Sequence, residues 1–111
     1  MRFLKLVLFL VAVGSCATVS AVEQDVVLND IHVWSNAGGN DVVRVTTPSQ
    51  SVVNPSGCSD TDSYMVLSTL AKETTARIYS TLLTAKALGQ AVTVRLSGCE
   101  LNRPAITSVF L

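Results

Sequence analysis

Only one stretch of this chain, residues 72–88, sustains a helical period. Glu73, Arg77, Ser80 and Thr84 fall on one polar stripe of that stretch. Thr75, Ile78, Leu82 and Ala85 fall on the opposite face, flanked by Tyr79 and Leu83. Gly89 follows as a C-terminal cap, and Ser68 or Thr69 can cap the start. One helix in so short a chain constrains the fold, because it cannot cover both faces of a sheet.

The remaining segments read as strands. Residues 26–34 are rich in β-branched and aromatic side chains. A turn cluster with Gly38-Gly39 follows, and residues 41–47 return with Val43 and Val45 alternating against Arg44 and Thr46. Together these make a hairpin. Residues 48–62 form a loop rich in Pro, Ser, Asn, Gly and Asp, with Val52-Val53 as its apolar pair, forming a short strand or tucking inward. Residues 63–68 are a short strand. Residues 91–97 alternate cleanly, with Val92, Val94 and Leu96 inward; 98–104 is a turn and 105–111 a last strand. The fold class expected is mainly β with one helix (α+β). Curling the strands into an OB-like five-stranded antiparallel small barrel, with the helix closing one end, buries the apolar faces economically. A flat antiparallel sheet with the helix on one face is the alternative.

The N-terminus carries an export signal. Arg2 and Lys5 precede the apolar run 6–13, which is too short to span a bilayer, and Gly14 and small residues follow. Cleavage fits after Ala17 or after Ala21, with Ala21 preferred because Glu23-Gln24-Asp25 then opens the mature chain. The expected division is a signal peptide over 1–21 and a single domain over 22–111. Val13-Gly14-Ser15-Cys16 also approximates a bacterial lipoprotein box, in which Cys16 would be acylated. The expected location is secreted or periplasmic, or lipid-anchored to the outside of a bacterial membrane in that second case.

Cleavage after Ala21 reduces 111 residues to 90 and removes two of 8 basic residues against 8 acidic ones, leaving a net charge of −2. No basic stripe remains, which argues against a nucleic-acid partner. Cys58 and Cys99 are the cysteines that survive every version of processing, and a pair in an exported chain reads as a disulfide. Two buried free thiols are the alternative.

Catalytic and metal-binding patterns are weak. His32 is the sole histidine, and nothing in the sequence places a nucleophile beside it. Asp60 and Asp62 lack the further ligands of a calcium loop and read as turn residues. Two cysteines and one histidine without close spacing make a poor zinc site. Neither metal nor cofactor is expected, and the chain does not read as an enzyme. Gly38-Gly39 is followed by no lysine of a phosphate loop. Asn54-Pro55-Ser56 is blocked as a glycosylation acceptor by its proline. Tyr79 on the helix flank is a core residue or a subunit contact. Trp34, the single tryptophan, is the candidate ligand-binding residue: exposed, it would stack on a sugar ring or anchor an interface; buried, it is core.

Several segments carry a family resemblance. They are Asn54-Pro55-Ser56-Gly57-Cys58, the helical run 78–90, Val92-Thr93-Val94, Gly98-Cys99 and Arg103-Pro104-Ala105-Ile106. Over about the last 60 residues the chain resembles the binding (B) subunits of the subtilase-cytotoxin type. The resemblance implies an OB-like fold, a disulfide, a secreted or periplasmic location and glycan binding in a ring of five copies. A relative standing alone without a toxin partner fits the same features. No sugar-contacting residue transfers to a position here. The expected function is a non-catalytic secreted module that binds a glycan or protein, as a homo-oligomer or alone, with no membrane span. The alternative is a structural or accessory envelope protein, lipid-anchored through Cys16.

Overall fold

The computed structural model describes residues 22–35 and 42–111. The export segment with Cys16, and the Gly38-Gly39 turn, lie outside the described residues. Six strands and one helix follow in order: β1 (Gln24–Leu28), β2 (His32–Ser35), β3 (Val43–Thr46), β4 (Tyr64–Val66), α1 (Lys72–Leu88), β5 (Val92–Glu100) and β6 (Arg103–Phe110). They form one mixed sheet in the order β1-β5-β6-β4-β3-β2. β4 and β6 run parallel, and every other pair is antiparallel. The small, mainly β domain with one helix is as expected. The five-stranded, wholly antiparallel count is not. A parallel pair needs a long crossover, and the path from β4 through α1 and β5 to β6 supplies it.

The sixth strand arises because 26–34 is not continuous. Asn29, Asp30 and Ile31 break it, with Asp30 in the left-handed region at φ +48° and Ile31 buried. The two halves then pair with different neighbours, β1 with β5 and β2 with β3. This places consecutive strands at opposite edges of the sheet. A flat sheet of six strands would hold its edges about 24 Å apart. The backbone from Leu28 to His32 reaches at most about 14 Å. The sheet must therefore curl strongly. Among the described residues no ladder joins β1 to β2, so it is not closed.

Gln50 spans the break. Its side-chain oxygen accepts from the Asn29 N–H (2.7 Å) and its amide donates to the Val27 carbonyl (3.3 Å). One side-chain amide thus occupies the place of a strand partner where β1 ends.

The concave side holds the core. Val45, Tyr64, Val66, Val94, Leu96 and Ile106 meet Ile78, Leu82 and Ala85 of α1, with Leu28 and Ile31 from the strand break. The three helical residues lie on the face assigned from the sequence. α1 ends at Gly89 in the left-handed conformation, its N–H bonded to the Ala85 and Lys86 carbonyls. Its start differs from expectation. Ala71 is the N-cap and provides no side-chain bond, so neither Ser68 nor Thr69 has that role. Val52 and Val53 tuck against the core, and the Val53 N–H donates to the Tyr64 hydroxyl at 2.8 Å. Burial raises the Tyr64 pKa, and that hydrogen bond partly offsets the rise.

β5 runs through the expected turn. Gly98, at φ +72°, sits where the β5–β6 register shifts between Leu96 and Cys99, and pairing resumes at Cys99 and Pro104. The turn itself shrinks to Leu101-Asn102, both at positive φ. Cys58 and Cys99 form a disulfide with Cα atoms 5.8 Å apart. The Asn54 amide closes the turn that presents Cys58, accepting from the Cys58 N–H (2.8 Å) and donating to its carbonyl (2.7 Å). The Gly98 N–H donates to the Ser56 hydroxyl at 3.1 Å. The irregular loop is thereby fastened to β5. No helix among the described residues is long and apolar enough to cross a membrane.

Candidate ligand-binding surface

Val33, Val43 and Val45 turn toward the core, so alternation sends His32, Trp34, Arg44 and Thr46 to the convex face. The β2–β3 register places Trp34 opposite Arg44 and His32 opposite Thr46. These four residues form a two-by-two array on the curled sheet. Trp34 is 59% exposed, an unusual state for the largest apolar side chain of so small a domain. It sits on the edge strand β2 with its ring available to a partner.

Thr46 also opens into a cleft of about 390 Å³ where β3 ends. Thr47, Gln50, Ser51, Thr61 and Asp62 complete its polar lining. Thr47 and Gln50 are already engaged, because the Thr47 hydroxyl donates to the Gln50 carbonyl (3.4 Å) and Gln50 holds the strand break. Asp62 is exposed and held in place by Arg103, which donates to its two oxygens at 2.6 and 3.2 Å. The Ser63 hydroxyl donates to Oδ1 at 3.0 Å. Arg103 also approaches Asp60 (3.8 Å) and donates to the Leu101 carbonyl (2.9 Å). The Arg103 hydrogen bonds lower the Asp62 pKa to about 2, with smaller help from Ser63 and from the charges of Arg103 and Arg44. Asp62 is thus a fixed carboxylate at ordinary pH. Its Oδ2 takes one of these bonds and keeps a lone pair for a ligand hydroxyl.

The surface combines an aromatic platform, an adjacent guanidinium, several hydroxyls and an oriented carboxylate. Such a set can stack one face of a ring and exchange hydrogen bonds with a polyhydroxylated molecule. Proton transfer is less well served: Asp62 is held ionised and its nearest charged neighbours are arginines.

The candidates from the sequence fall in different places. Trp34 and His32 share the array, and Asp62 lines the cleft, whereas Asp60 sits outside the cleft lining. Cys58 and Cys99 brace the loop that carries Asp62. Tyr79 is half-buried against the core and lines a second, more apolar cleft of about 340 Å³ with Val43, Leu70 and Ala76. The sequence does not mark Arg44, Thr46, Ser51 or Thr61 as binding residues. The alternation of 41–47 was the signal for Arg44 and Thr46; nothing local marked Ser51 or Thr61. The chain matches no protein-family model, no curated protein and no solved structure.

Proposed function

We propose that this is a non-catalytic, exported binding module that recognises a glycan on the convex face of its sheet. The observation that carries the reading is the exposed Trp34 ring one strand from a hydroxyl-lined cleft with an oriented carboxylate. Sugars present apolar ring faces and hydroxyl edges, and this surface offers a partner for each. The N-terminal apolar segment and the Cys58–Cys99 disulfide support a secreted or periplasmic location. The net charge of the mature chain makes nucleic acid a poor partner.

We read the curled sheet as OB-like, with β1 and β2 as two halves of one bent strand. On that reading five strands are present in the sense of the fold, the first serving both edges. The strand order and the helix between β4 and β5 favour it. Likeness to toxin B subunits and a homo-oligomeric assembly belong to the same proposal and rest on the sequence resemblance. Neither is needed for a single subunit to bind a sugar.

A glycan array probed with purified mature protein tests the function. The reading expects defined saccharides to bind, with Trp34→Ala and Thr61→Ala both weakening the signal. Absence of saccharide binding, or binding indifferent to both substitutions, would remove it.

A further inference from the structure

The platform and the cleft are not at the same spot. Trp34 lies on β2, Thr46 on the neighbouring β3, and Asp62 on the segment leading into β4, the next strand beyond. Thr46 faces His32 and is diagonal to Trp34, a separation of about 7–8 Å. From the strand of Trp34 to the segment of Asp62 is two strand spacings, about 9–10 Å. A single pyranose ring covers roughly one spacing. A ring stacked on Trp34 can approach Thr46 at the near edge of the cleft but leaves its Thr61 and Asp62 side empty, because hydrogen bonds there need heavy atoms within about 3.2 Å.

We propose that the ligand is a linear oligosaccharide of at least two sugar units, one stacked on Trp34 and the next seated in the Thr46–Asp62 cleft. This rests on the glycan-binding reading above and adds the size and placement of the ligand. The cleft unit is the one with the more demanding contacts. It meets the Thr46, Ser51 and Thr61 hydroxyls and the free lone pair of Asp62, whose other positions Arg103 and Ser63 fill. Trp34 offers a flat face and reads little of the pattern of hydroxyls. Specificity then belongs to the cleft and chain-length dependence to Trp34.

Calorimetric titration with the mono-, di- and trisaccharide of each array-positive glycan separates these roles. The disaccharide should bind about tenfold more tightly than the monosaccharide, the size of one aromatic stacking contact. Trp34→Ala should abolish that tenfold gain and leave monosaccharide affinity within about twofold. Thr61→Ala, which leaves the Arg103–Asp62 pair intact, should weaken every length alike. Equal affinity for one and two units, or equal weakening of both by Trp34→Ala, overturns the two-subsite proposal while glycan binding stands. No binding at any length overturns both.

Discussion

Leu101 occupies the first position of a two-residue hairpin turn, at φ +47°, and is 54% exposed. A β-carbon in the left-handed region costs roughly 1–2 kcal/mol, and asparagine tolerates it best among residues with a side chain. Asn102 already follows at φ +65°. The turn persists because Arg103 and Asp60 hold it: Arg103 donates to the Leu101 carbonyl, and the Asp60 N–H donates to the Asn102 carbonyl at 2.8 Å. Leu101→Asn should therefore stabilise the fold by about 0.5–1 kcal/mol, read as a raised urea midpoint. A lowered midpoint would show that the leucine is supported by packing instead. Asp62 provides the pH counterpart. Its carboxyl titrates near 2 in the fold, held down first by the Arg103 hydrogen bonds, against about 3.9 in the unfolded chain. The Arg103–Asp62 contribution is thus fully present above pH 4 and disappears as pH falls through 2. The urea midpoints of the parent protein and Asp62→Asn should differ at pH 5 and converge toward pH 2. A difference independent of pH would place the effect outside the ionised carboxylate.

At the scale of elements, the helix was the most legible part of the chain. Seventeen residues of consistent period, closed by Gly89, give the boundaries 72–88 because periodicity and the C-terminal cap agree there, while the N-cap Ala71 carries no local signal. The strands on either side of the breaks were harder. Asn29-Asp30 interrupts an otherwise strand-like run, and a bend there is a tertiary outcome: the second half pairs locally with β3, whereas the first pairs with β5, far along the chain. Gly98 looked like the start of a turn, yet it makes a bulge, and the strand continues through Cys99 to Glu100. A glycine between polar residues carries the same local signal in both cases. The convex array was half legible, since alternation alone turns Arg44 and Thr46 outward, but their place opposite Trp34 and His32 depends on the register. Gln50 had no local signal at all, because its partners Val27 and Asn29 lie more than 20 residues away. Gln50→Ala should cost about 1–2 kcal/mol, two hydrogen bonds at an exposed site. It should also accelerate hydrogen exchange at the Asn29 amide more than at Val94 in the core. Unchanged exchange at Asn29 would mean that the break is held by the β1 and β2 ladders alone.

For the whole molecule, the disulfide is the largest single constraint. It joins residues 41 apart and ties the least regular segment, which carries Asp62, to β5. Chain-entropy arguments give about 4 kcal/mol for a closed loop of this size. A domain this small has a total stability of roughly 5–15 kcal/mol, so the reduced form should lie close to unfolding. Urea titration with and without reductant should show a large fall in midpoint, and an unchanged midpoint would contradict this. Reduction should also loosen the Asp62 side of the cleft before it reaches Trp34 on β2, because the braced loop leads to the former and not to the latter. The curled sheet thus brings two unlike surfaces together on its convex side, an exposed aromatic edge and a cleft held by a covalent brace. On the proposed function a saccharide occupies both. Trp34 is the sole tryptophan, so its fluorescence reports on that surface without ambiguity. In free protein its emission should be that of an exposed indole, readily quenched by iodide. On titration with an array-positive oligosaccharide the emission should shift to the blue and quenching should fall, saturably and with the calorimetric affinity. Emission and quenching unaltered at saturating oligosaccharide would mean that no sugar stacks on Trp34.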